Sequence, residues 1–431
     1  MDPTEINWIE KYFEERQSFV FTNSLPSELD YEQLLYKYLQ PSGIIYGHPI
    51  DLPSQLEIDT EDWPVKERLE VILLEGLLAA YILKNKLKGS LSELNDAAIL
   101  IKQFYEKINP ELVKKSFFER KPKTELQALE RIFAKRVKVK AEWNNTFWQG
   151  FFHNILLFGD IITFIKFLEN TSIIDSELIE FELNFHRQIL HMLSVVISIN
   201  ADTKKENIIY YHYFVESTML PKEEKKTAML WHDNAFQNEF ILKYKESSWL
   251  LRRYLLDLAA LSVWADKTLT ILEKEFLIDL AEQINIDSID LESSGFAVET
   301  FVLNNWNKVY YLQQKQSYLA LSKRIASRMK KITIKYGSFI KQEIEEDKEL
   351  LALLKLSHER SLSIDEKDKI RRQLLDILKL IPTISMLALP MAYLTIPILM
   401  RVIPKEYFPS SFNPNALTVP RTKGRSRIIE G

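Results

Sequence analysis

The chain has 431 residues, 46% of them hydrophobic and 27% charged, enough to bury a sizeable core and to hold two or more domains. Its net charge of -4 supplies no bulk attraction to nucleic acid, so DNA is not an expected partner. The absence of cysteine excludes disulfides, thiolate catalysis and cysteine-ligated metal centres, and 10 glycines are few for the hairpin turns of a β fold.

Leu, Ile, Lys and Glu recur at three- and four-residue spacing, which predicts an all-α fold with a multi-helix body. The first residues, Met-Asp-Pro-Thr-Glu, lack the basic patch and apolar core of a secretory signal, so the bulk of the chain is expected in the cytoplasm. An N-terminal helical domain is predicted over 1–200. Its first helix, Asn7 to Glu15, sets Trp8, Ile9 and Tyr12 on one side. A Pro- and Gly-containing loop follows from about Gln40 to Pro64. Leu69 to Leu83 is strongly apolar, but Glu75 interrupts it and it is short for a bilayer, so a core helix is expected. Thr146 to Leu168 is rich in Phe and Ile yet carries Asp160 and Lys166, which favours a buried soluble helix over a span. A further amphipathic helix runs from Glu177 to Ile199, with Leu190, Leu193 and Ile197 along one face.

A polar connection and a helix occupy 201–246, with Ala201 to Glu206 read as the connection. From Ser247, two helical stripes are predicted, Leu251-Leu255-Leu258-Ser262 and Leu272-Phe276-Leu280-Ile284. Thr270 and Glu273 have the spacing of a capping box, in which hydroxyl and carboxylate satisfy free N–H groups at a helix start. That role, with the helix dipole, also accounts for Asp266 and Glu273 without a bound cation. Ser363 and Glu366 repeat the device, so one hairpin design is used twice. Between the hairpins, basic Lys323 to Lys335 and mainly acidic Glu343 to Glu349 read as solvated faces of a long helical pair or of a short coiled coil.

No phosphate-binding loop, nucleophile elbow or zinc-protease motif occurs, so no catalytic residue, metal site or cofactor is assigned. Glu182 with His186 and His212 with Glu216 have helical i, i+4 spacing and read as helix-surface hydrogen-bonding pairs.

The membrane-capable stretch is Leu380 to Met400, 21 positions without a charge. At about 1.5 Å per residue it matches the roughly 30 Å hydrocarbon core of a bilayer. Pro382, Pro390 and Pro397 each remove a backbone donor, so a kinked apolar segment is expected, in membrane or packed in a soluble core.

Arg371, Arg372, Asp376, the Leu-x-Pro run at Leu380 and Pro382, the spaced prolines through Pro404, and Pro409-Ser410-Ser411-Phe412 form a pattern with fixed spacings. It resembles the membrane-spanning core of the Letm-type proteins and their bacterial relatives. Residues from Ser247 to Ile286 resemble a TerB-like helical domain, with Lys267 where that family has glycine. The combination is similar to Letm-related proteins described as biofilm-associated. The resemblance implies a TerB-like domain over 247–355, a Letm-like hairpin and membrane segment over 356–412, and a basic tail over 413–431. It also implies membrane lipid and the ribosome as partners, and a link to cation/proton exchange. Tyr393 stands where many members carry an acid, which leaves the segment without a carboxylate. Arg421, Lys423, Arg425 and Arg427 cluster in the tail. The expectation drawn from this is a non-enzymatic, membrane-associated helical adaptor. The alternatives are a cation/proton exchange component and a soluble helical interaction protein whose C-terminal segment is buried.

Overall fold

The computed structural model describes residues 1–17, 29–49, 52–53, 56, 58–60, 62–114, 122–137, 154–199, 204–233, 247–264, 271–304, 318–360 and 363–381. Among them all regular structure is helical, with sixteen α-helices and no strand. The chain divides into two compact units, one over 1–317 and one beginning at Tyr318. That division falls inside the stretch 247–355, which was expected to be one domain.

In the first unit, α1 (Trp8–Arg16) buries Trp8, Ile9, Tyr12, Phe13 and Arg16, residues that share a face by their spacing. Its N-cap Asn7 lies in the left-handed region and makes no side-chain cap. The cap comes instead from α6 (Glu125–Arg136), where the Glu130 carboxylate accepts the N–H groups of Asn7 at 3.2 Å and Ile9 at 3.0 Å. α2 (Tyr31–Leu39) starts at a capping box made by Asp30 and Gln33.

Two 3₁₀ turns, Gln40–Ser42 and Ile44–Tyr46, follow in the stretch expected to be loop. Gly47 then sits at φ 66°, and a Cβ there would lie 2.3 Å from Ile155 Cα. Two backbone segments cross at that point, which only glycine permits.

α3 (Val65–Lys84) is buried continuously from Leu69 to Ala80, as a helix covered on all sides must be. It packs against α2, α4 (Leu91–Ile108), α6 and α7 (Leu157–Glu169). The core-helix expectation for Leu69 to Leu83 therefore holds. So does the buried-helix expectation for the described part of Thr146 to Leu168, although helix α7 itself begins at Leu157. α4 opens on a Ser90–Glu93 capping box and is followed by the single turn α5 (Pro110–Val113). α8 (Asp175–Ile199) buries Leu190, Leu193 and Ile197 as predicted. α9 (Lys204–Ser217) already includes Lys204 to Glu206, so the polar connection is shorter than expected. α10 (Lys222–Ala228) is a short helix beyond it.

α11 (Trp249–Trp264) packs on α2, α8 and α13 (Ser288–Asn304), so the stretch after Ser247 is built into the same core as the N-terminal helices. α12 (Ile271–Gln283) packs on α11, α13 and α8, and its buried residues are Glu273, Leu277, Leu280 and Ala281. The predicted stripe is corrected here, because Leu272 is exposed and the inward face is offset by one residue, with Leu280 and Ile284 as its shared members. Asp266 and Thr270 lie outside the described residues, and Glu273 is buried.

The second unit contains α14 (Tyr318–Glu346), α15 (Lys348–Glu359) and α16 (Ile364–Lys379), each packed on the other two. α14 bends at Tyr336, whose φ of -116° and ψ of 18° are not helical. Asp347 caps α15 by accepting the N–H groups of Glu349 and Leu350. Ser363 and Glu366 form the predicted reciprocal cap of α16, reinforced by Arg360 donating to the Glu366 carboxylate. Ile340, Ile344, Leu350, Leu354, Leu374 and Leu378 form the unit's apolar centre. No helix among the described residues is long and apolar enough to cross a membrane.

Candidate functional site

Of the residues singled out in the C-terminal pattern, Arg371, Arg372 and Asp376 lie on α16, with Arg372 and Asp376 exposed one turn apart. Leu380 is the C-cap of that helix and is exposed, whereas Ile381 beside it is fully buried. Pro382, Pro390, Tyr393, Pro397, Met400, Pro404, Pro409, Ser410, Phe412, Arg421, Lys423, Arg425 and Arg427 lie outside the described residues.

What the structure adds is a set of three buried polar clusters in the first unit, each built around one arginine. Around α3, Glu75 accepts Tyr12 Oη at 2.7 Å, Tyr38 Oη at 2.8 Å, and Arg16 through Nε at 3.1 Å and Nη2 at 3.2 Å. Arg16 and Glu75 are both wholly removed from solvent. Burial drives both phenols well above their ordinary range, and the neighbouring carboxylate adds to it, so they act as donors only.

The second cluster joins α2, α11 and α13. Arg253 donates to Asp257 at 3.1 Å, Asp290 at 3.1 Å, Ser293 at 3.0 Å and the Tyr36 hydroxyl at 3.0 Å. The Tyr36 hydroxyl in turn donates to Asp257 at 2.5 Å, and Trp249 donates to Asp290 at 2.8 Å. The guanidinium also lies 4.5 Å from the Tyr36 ring centre. Burial raises Asp290 above the usual carboxylate value, with Arg253 and Trp249 opposing it.

The third cluster joins α4, α6, α7 and α8. Arg136 donates to Asp160 in a fork, Nε at 2.8 Å and Nη2 at 2.6 Å, and Tyr105 adds a bond of 2.8 Å to the same carboxylate. Glu182 and His186 of α8 lie beside this group and are buried, which corrects their reading as a surface pair. Burial, then the Asp160 charge, pushes Glu182 up to about 8 against the pull of Arg136. Burial and the nearby Arg136 and Lys225 push His186 down to about 3, so its imidazole is neutral. Consistently, His186 Nδ1 accepts the Met219 N–H at 3.3 Å. In the other i, i+4 pair, Glu216 is exposed and faces Lys225 at 3.8 Å.

Chemically, every charged group in the first two clusters is held by a partner of the same cluster. Such buried pairs stabilise little against an apolar core of equal volume, but breaking one strands a charge at a cost of about 3–5 kcal/mol. Their effect is to specify which helices meet. The sequence signal that points to them is a charge inside an apolar stretch, Glu75 in α3, Asp160 in α7, and Arg253 with Asp257 in α11. Their partners, as far as 221 residues away for Tyr36 and Asp257, carry no such signal. Among the described residues no group of three or more His, Asp or Glu could hold a metal ion. Compared with family models, curated proteins and solved structures, the chain matches none of them.

Proposed function

We propose that the protein is a non-enzymatic, membrane-associated helical adaptor, with a Letm-like C-terminal segment anchoring a body that docks protein partners, the ribosome among them. The observation that carries this reading is the uncharged run Leu380 to Met400, which begins where the amphipathic helix α16 ends. The exposed termination of α16 at Leu380 supports it, since an apolar residue there leads into the run at the surface of its unit. The resemblance of α11 and α12 to a TerB-like domain and the Pro-kinked form of the segment belong to the same proposal. The basic cluster Arg421, Lys423, Arg425 and Arg427 would add attraction to anionic lipid or to ribosomal RNA phosphates.

One observation favours a second reading, a soluble interaction protein with the segment packed inward: Ile381, the second residue of the run, is fully buried. Membrane fractionation with an alkaline wash separates the two. The adaptor reading expects the intact chain in the washed membrane pellet and a chain lacking Leu380 to Met400 in the supernatant, with the first unit still folded. A detergent-free, monodisperse intact protein would overturn it.

A further inference from the structure

The third cluster differs from the other two in its count of charges. Arg136 is its single cation, and both of its bonds go to Asp160, which Tyr105 also serves. Glu182 brings a second carboxyl, 3% exposed, and accepts no hydrogen bond among the described residues. His186, one turn further on, cannot neutralise it, because its Nδ1 is an acceptor for the Met219 N–H. Two buried carboxyls beside one guanidinium whose bonds all go to one of them cannot both stay ionised without a cost.

We infer that Glu182 holds a proton in the folded protein at neutral pH, and that its release is an alkaline switch in which ionised Glu182 competes with Asp160 for Arg136. The groups around it come from every side. α6 presents Arg136, α7 Asp160 and α4 the Tyr105 hydroxyl, which is committed to Asp160. α11 presents Tyr254, whose hydroxyl is committed to the Ile155 carbonyl at 2.8 Å. Lys225, on α10, acts on His186, and the charges that act on Glu182 itself are Asp160 and Arg136. Arg136 is the last residue of α6, so a transfer of its guanidinium from Asp160 to Glu182 would exchange a tie to α7 for one to α8.

The linkage has a definite sign. A carboxyl protonated in the folded state and ionised in the unfolded one makes folding take up a proton. Stability is then full below the ordinary carboxylate range and is lost as pH rises through the folded value. Over that window the folding equilibrium falls by up to about tenfold per pH unit relative to a chain without the group.

The test is infrared spectroscopy on the intact chain between pH 6 and pH 10, with Glu182→Gln and Asp160→Asn for assignment. The expected result is a protonated-carboxyl carbonyl band at neutral pH in wild type that fades at alkaline pH and is missing from Glu182→Gln. Asp160→Asn should move the fading to lower pH, because Arg136 becomes free to pair with Glu182. Denaturation of wild type and Glu182→Gln should diverge as pH rises from 6 toward the folded value of Glu182, with a constant offset above it. Should Glu182→Gln fail to fold, the fading of the wild-type band and its shift in Asp160→Asn still decide the matter. A wild-type chain with no fading protonated-carboxyl band, the same band in Glu182→Gln, or parallel stability profiles for the two chains overturns the inference.

Discussion

Replacing Glu75 with Leu should unfold the first unit, and the reason can be worked from the contacts. Glu75 accepts four hydrogen bonds from three buried side chains, Tyr12, Tyr38 and Arg16. Its loss removes the Glu75 carboxylate from the buried Arg16 guanidinium, and breaking such a pair costs about 3–5 kcal/mol. Each phenol left without an acceptor costs about a further 1–3 kcal/mol. The total of about 5–11 kcal/mol is comparable with the whole stability of a typical domain, about 5–15 kcal/mol. Removing both charges should behave differently. In Arg16→Met, Glu75→Leu the stranded cation is gone and only the two hydroxyls are orphaned, so the double variant should be more stable than Glu75→Leu by about 3 kcal/mol. Trp8, buried on the same helix as Arg16, gives a fluorescence signal for urea unfolding of this unit beside far-ultraviolet circular dichroism. A Glu75→Leu chain within about 0.5 kcal/mol of wild type, or a double variant no more stable than the single one, would refute the buried-pair reasoning.

Glycine substitutions should rank by what a new methyl group meets. Gly47→Ala puts Cβ at 2.3 Å from the Ile155 backbone at a positive φ and should cost more than the roughly 1–3 kcal/mol of ordinary overpacking. Gly159→Ala meets the edge of the Phe185 ring at 2.6 Å and should fall within that range, whereas Gly337→Ala, with nothing within 4 Å, should stabilise α14 by about 0.5–1 kcal/mol. Melting temperatures in any other order would contradict the packing described. Ser363→Ala removes the reciprocal cap of α16 and should cost the second unit about 1 kcal/mol, read as faster amide exchange in the first turn of that helix with the first unit unchanged. Glu366 is held down to about 2 by Arg360 and the Ser363 N–H, so the contribution of its charge should be full above the ordinary carboxylate range and be lost progressively as pH falls from there toward that value.

Periodicity and composition alone determined the helical class, the buried face of α1, the central helix α3, the inward stripe of α8 and the cap of α16. These are local properties: a spacing of three and four residues decides which side chains share a face, and a Ser-x-x-Glu pattern closes its own N–H groups. Tertiary structure decided what covers each face. The α1 cap is supplied by Glu130, more than a hundred residues away, so no local pattern at Asn7 could reveal it. Apolar residues on α12 were legible, but its turn toward the core was set by α11, α13 and α8, which left Leu272 outside and buried Glu273. The charges Glu75 in α3 and Asp160 in α7 were visible as interruptions of apolar runs, yet the counter-ion of each depends on which helix lies opposite. The same holds for Glu182 and His186. Their spacing places them on one face of α8, and only the packing of other helices against α8, α4 and α7 among them, turns a surface pair into a buried acid near an ion pair whose bonds go elsewhere.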